Sequence, residues 1–117
     1  MPTKRRDTKS IKNDLSVFDV AKFFIWKSSK EGRPITNKKL QKLLYYSQAW
    51  NLVFKDKPLF SDKIEAWVHG PAIRSVYSNF KKFGFGPIID DIEESDISTI
   101  DRNTKELLDE IWRVYGK

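Results

Sequence analysis

The 117-residue chain has no cysteine, one histidine and one methionine. Lack of cysteine rules out disulfides, thiolate metal ligands and thiol nucleophiles, and it suits a reducing cytoplasm. With His69 as the sole imidazole, a histidine metal site or a Ser-His-Asp triad would depend on that one residue. No metal-ligand spacing and no glycine-rich phosphate loop is present, so neither a cofactor nor enzymatic activity is expected. The charged start, M-P-T-K-R-R, has no apolar core and does not read as a secretory signal. No apolar run approaches the roughly 20 residues that cross a bilayer. Together these absences point to a soluble, cytoplasmic, single-domain protein without a membrane partner.

What the chain does have is aromatic bulk. Eight Phe, four Tyr and four Trp make up 14% of the residues, enough for a packed body even with 32% charged side chains. The net charge of +6 is unevenly placed. Residues 1–63 hold fifteen Lys/Arg against six Asp/Glu, whereas residues 64–117 hold seven against ten. A basic half attracts nucleic acid or an acidic protein, or is simply a solvated surface.

Residues 1–13 are polar and aperiodic and read as a flexible basic arm, leaving 14–117 as one folded domain. Ser16 is spaced as an N-cap for a first helix whose apolar positions (Val17, Val20, Ala21, Phe24, widened by Phe18, Phe23, Ile25 and Trp26) imply burial on more than one side. Gly32 and Pro34 end it. Thr36 caps a second helix in which Leu40, Leu43, Leu44, Ser47, Trp50 and Phe54 share a face. Tyr45, Tyr46, Ala49 and Val53 lie opposite, which suggests a central helix. Ile64 to His69 alternates as a short strand, with Ile64, Ala66 and Val68 on the apolar side. Gly70-Pro71 then reads as the start of a third helix with Pro at its first position. Ile73, Val76, Tyr77 and Phe80 form that helix's stripe, and Gly84 ends it. Pro87-Ile88-Ile89 is a candidate second strand pairing with the first, and Asp90 to Asp96 a loop. Asp101 caps a last helix bearing Leu107, Leu108, Ile111, Val114 and Tyr115, with Asp109 and Arg113 spaced as an i,i+4 pair. The fold expected is mainly α: about four helices, with a short strand or hairpin before the third. Its core should include Phe24, Leu40, Leu43, Leu44, Trp50, Trp67, Phe80 and Ile111.

Few residues suggest chemistry. His69 sits where a histidine either orders a strand–helix junction or meets a partner. Asp90, Asp91, Glu93 and Glu94 lack calcium-loop spacing and read as a solvated acidic loop. Lys4, Arg5, Arg6 and Lys9 are candidate phosphate contacts, with salt-sensitive affinity, for a small basic nucleic-acid-binding regulator. That regulator is the alternative to the favoured reading, a protein interface: His69, Arg74 and Tyr77 would converge at the start of the third helix, where free N–H groups and a partial positive charge favour a carboxylate.

From Val20 to Tyr115 several short motifs recur together. They are Asp19-Val20-Ala21, Leu40-Gln41-Lys42-Leu43-Leu44-Tyr45-Tyr46, Gln48-Ala49-Trp50, Pro58-Leu59-Phe60, Glu65-Ala66-Trp67, Gly70-Pro71, and Leu107-Leu108-Asp109-Glu110-Ile111-Trp112. In this combination the chain resembles the Panacea domain, the SocA-like antitoxin family that also includes many phage-associated proteins. That resemblance implies a compact helical domain that neutralises a toxin or a host-defence effector by direct binding, in some members presenting the toxin to a protease. Two departures stand out. Arg74 occupies a position where the family usually has proline, and the family pattern usually continues past Gly116.

Overall fold

The computed structural model describes residues 15–116; Lys4, Arg5, Arg6 and Lys9 lie outside them. Four helices and one hairpin make up the fold: α1 (Val17–Lys30), α2 (Asn37–Lys55), β1 (Glu65–Trp67), β2 (Gly70–Ala72), α3 (Arg74–Phe80) and α4 (Arg102–Tyr115). Short 3-10 turns follow α3 (Lys81–Phe83) and precede α4 (Glu94–Ile97).

Side-chain caps set three helix starts. The Ser16 hydroxyl accepts from the Phe18 N–H, Thr36 from Lys39, and the Asp101 carboxylate from Thr104. Each satisfies a donor that the helix itself leaves unpaired. Asp56, in the left-handed region at φ 58°, closes α2.

α2 packs against α1, α4, α3 and β2. Its Leu40, Leu43 and Leu44 are fully buried against Phe23 and Phe24 of α1 and Leu108 and Ile111 of α4 in a single apolar cluster. Each of these large side chains contributes roughly 1.5–3 kcal/mol by leaving water. Phe80, Ile88, Ile97 and Ile100 join the cluster, so the segment after α3 is anchored to the helices at Ile88, Ile97 and Ile100. Lys27 of α1 pairs with Asp109 of α4 at 2.9 Å, and the Trp112 indole donates to Glu31.

The structure corrects several expectations. Gly70-Pro71 does not begin a helix. Gly70–Ala72 is the return strand of a hairpin, with Trp67 opposite Gly70 and Glu65 opposite Ala72. Gly70 has φ 121°, which side chains disfavour, so glycine is needed by the turn and not by a helix cap. The helix begins at Arg74, with Ile73 as its N-cap. Pro87-Ile88 does not pair with β1: Thr36 bridges Pro87, and the Ile88 N–H donates to the Ile35 carbonyl at 2.8 Å. Asp109 turns to Lys27, while Arg113 pairs with Glu110 instead. The acidic stretch is not all loop, since Glu94–Ile97 is a 3-10 turn that buries Ile97.

The outer flank of α2 is more open than a central helix would suggest. Val53 is 77% and Phe54 68% exposed, and Tyr45 also faces solvent. Trp50 is half-buried: its ring packs edge-on against Phe54 and Tyr115, and its N–H reaches the Tyr115 hydroxyl at 3.3 Å.

The Asp101 cap is sensitive to acid. Hydrogen bonding from Thr104 holds its carboxyl below the ordinary aspartate range, against an opposing effect of burial. A depressed folded-state pKa means stability present above about pH 4 that is lost as the pH falls through the folded value. Asp101→Ala should therefore lower stability by about 1 kcal/mol at neutral pH. Urea melts of the two proteins should converge as the pH drops below about 4; a constant gap would refute the role of the ionised cap.

Candidate functional site

The larger of two concavities lies between the hairpin and α2. α2 supplies Asn37, Lys38 and Gln41 to its wall, the hairpin supplies Trp67, His69 and Pro71, and the α3 side supplies Tyr77, Lys81 and Phe85. It is a groove of about 700 Å³, a size typical of sites that take a ligand or an anchoring side chain.

A chain of buried amides fixes its walls. The Gln41 side chain accepts from the Ile73 N–H at 2.7 Å and donates to the Asn37 side-chain oxygen Oδ1 at 3.0 Å. The Asn37 amide in turn donates to the Tyr77 carbonyl at 3.1 Å. Both side chains are buried, and between them they pin the end of β2 and the first turn of α3 to α2. Further along the same helix, Gln48 accepts from the Leu59 N–H and donates to the Phe60 carbonyl, while Asn51 donates to the Lys57 carbonyl. On the helical period these amides fall beside Leu44, at the edge of the apolar face.

The residues expected to converge separate into two groups. Tyr77 and His69 line the groove, and Tyr77 meets Trp67 edge-on with ring centroids 5.0 Å apart. Arg74 does not line it. Its guanidinium donates to both oxygens of Glu65 (2.9 and 3.3 Å) and lies 5.2 Å from the centre of the Trp67 ring. Glu65 also accepts from the Trp67 indole, and these hydrogen bonds hold its carboxyl below the usual range. Arg74 therefore ties β1 to α3. The N-terminus of α3 lies at Arg74, after the hairpin, and not at Gly70-Pro71 as pictured from the sequence.

Trp67 is half-buried and not a core residue, whereas Phe24, Leu40, Leu43, Leu44, Phe80 and Ile111 are buried. Ala66 and Val68 face solvent, Val68 at 98% exposure, because Val68-His69 is the two-residue turn. Lys38, Lys81 and Phe85, which sequence reasoning did not select, also line the groove, and Phe85 is 96% exposed. A lone exposed aromatic between Gly84 and Gly86 was the signal available for it.

The ground around the start of α2 is electropositive. Partial burial, then the charges of Lys42 and Arg33, lower the pKa of Lys39. Among the described residues no group of His, Asp and Glu side chains is placed to hold a metal ion, and no helix is long and apolar enough to cross a membrane. A second, more polar cleft of about 410 Å³ lies beside Asn51, Lys55 and Asp101.

Residues 40–117 match the model of the antitoxin SocA-like family, Panacea domain, and the chain belongs to that family. One relative is antitoxin SocA of Caulobacter vibrioides (strain NA1000 / CB15N), 35% identical over 97 residues. That alignment covers 83% of this chain and 50% of the relative, so the chain spans about half of that protein's length. No solved structure gives a significant match.

The half-burial of Trp67 has a measurable consequence. Trp67→Ala should cost about 1–2 kcal/mol, less than the roughly 3–5 kcal/mol of Phe24→Ala in the closed core. Urea denaturation of both variants checks the order; equal losses would place Trp67 in the core after all.

Proposed function

We propose that the chain is a non-enzymatic antitoxin that neutralises a toxin protein by binding it directly, with the groove between the hairpin and α2 as the contact surface. The observation that carries this reading is the groove itself, a wide concavity lined by Trp67, Tyr77 and the exposed Phe85 on a chain of an antitoxin family. Aromatic side chains set in a partly desolvated depression are the usual anchors of protein interfaces. Tyr77 and His69 are contact residues in this reading, while Arg74 acts indirectly by holding the hairpin.

The toxin would be a cytoplasmic protein. Its fate separates simple masking from presentation to a protease, and the same masking would serve a phage-encoded copy directed at a host-defence effector. Co-expression with the product of the adjacent gene should relieve growth arrest, and the two proteins should co-purify. The partner's half-life should be unchanged under masking and shortened if it is handed to a protease. Persisting arrest with no complex would overturn the reading.

A further inference from the structure

We infer that the groove takes an acidic segment of its partner: a short stretch with one aromatic or branched aliphatic side chain flanked by Asp or Glu. This rests on the interface reading above and adds the chemistry of what fills it.

The lining contains two lysines and one histidine but no carboxylate. Lys38 enters from the first turn of α2 and Lys81 from the turn after α3, so cations stand on two walls. Neither forms an ion pair among the described residues. The carboxylate of β1, Glu65, is engaged by Arg74 and by the Trp67 indole, and it does not line the groove to neutralise those lysines. The start of the 19-residue α2 adds its partial positive charge at the same place. Between these cations the surface is the aromatic pair Trp67–Tyr77 with Pro71, which suits an apolar side chain, and the Asn37 and Gln41 amides in the wall are already engaged in hydrogen bonds to one another, to Ile73 and to Tyr77. A basic segment would meet like charge, and a purely apolar one would leave both ammonium groups without a counter-charge.

The test needs no knowledge of the toxin. Random dodecapeptides displayed on phage are selected on the full chain, and the winners are synthesised and titrated against wild type and the double variant Lys38→Glu/Lys81→Glu. Both lysines are exposed, so the variant should fold, which its thermal melt confirms. The expected winners carry Asp or Glu around one large apolar side chain. They should lose about tenfold or more in affinity to the variant, and weaken as salt rises across the range where the screening length shrinks below about 10 Å. Winners without acidic residues, winners that bind the variant equally well, or no winners at all would overturn the inference. Growth rescue by the same variant separates this from the broader reading. If wild type and variant both rescue, neutralisation stands and the acidic segment falls; if wild type fails to rescue, the antitoxin reading falls while the peptide result still decides what the groove takes.

Discussion

The hairpin and α3 depend on one side-chain amide. Gln41 presents its oxygen to the Ile73 N–H and its nitrogen to Asn37, and Asn37 passes the connection to the Tyr77 carbonyl. A two-stranded hairpin with three residues per strand has little stability of its own in water. Fixing it to a long helix through a buried amide removes that weakness. The buried placement also makes the contact directional: an unpaired N–H or carbonyl at this depth costs about 1–3 kcal/mol, so alternative seatings of the hairpin are disfavoured. The apolar core would tolerate small shifts of β2; the hydrogen bonds would not.

The groove follows from that constraint. With β2 held against the first half of α2, the turn at Val68-His69 projects outward and the Trp67 ring lies over the side of α3. Arg74 then closes the remaining gap by bridging β1 and α3 through Glu65 and the Trp67 ring. Exposed pairs of this kind are individually weak. Here the pair matters more for where it leaves charge than for stability, because it engages the nearby carboxylate and leaves Lys38 and Lys81 to dominate the opening.

Much of this was legible in the sequence, for reasons that also explain what was not. Ser16, Thr36 and Asp101 cap helices because a short oxygen-bearing side chain before an apolar period has one strong local use. The leucines of α2 and the phenylalanines of α1 follow a helical period that survives any tertiary context. Gly70-Pro71 misled because the same dipeptide suits a helix start and a strand following a tight turn, and Val-His in the turn lacks the Asn-Gly signature of a two-residue hairpin. The lining residues Lys38, Lys81 and Phe85 were invisible for a different reason: they come from segments up to 47 positions apart and meet through tertiary contacts, those of Gln41 and Asn37 and the Thr36–Pro87 bridge among them. The partners of such amides are hidden until the strand they serve is known.

One wall of the groove, the hairpin, is little buried. The hairpin contributes one half-buried tryptophan and one buried alanine to its surroundings, and Ala66, Val68 and His69 lie in solvent. Regions with few buried apolar contacts open at lower free energy than the core. A partner seated between Trp67 and Tyr77 would bury that surface and tighten the element that Gln41 already holds in register. Affinity would then reflect both the contacts made and the ordering they impose on the hairpin. In this fold α2 provides the register and one wall of the groove, and the hairpin provides the other. The two are joined by hydrogen bonds specific enough that the groove exists before any partner arrives.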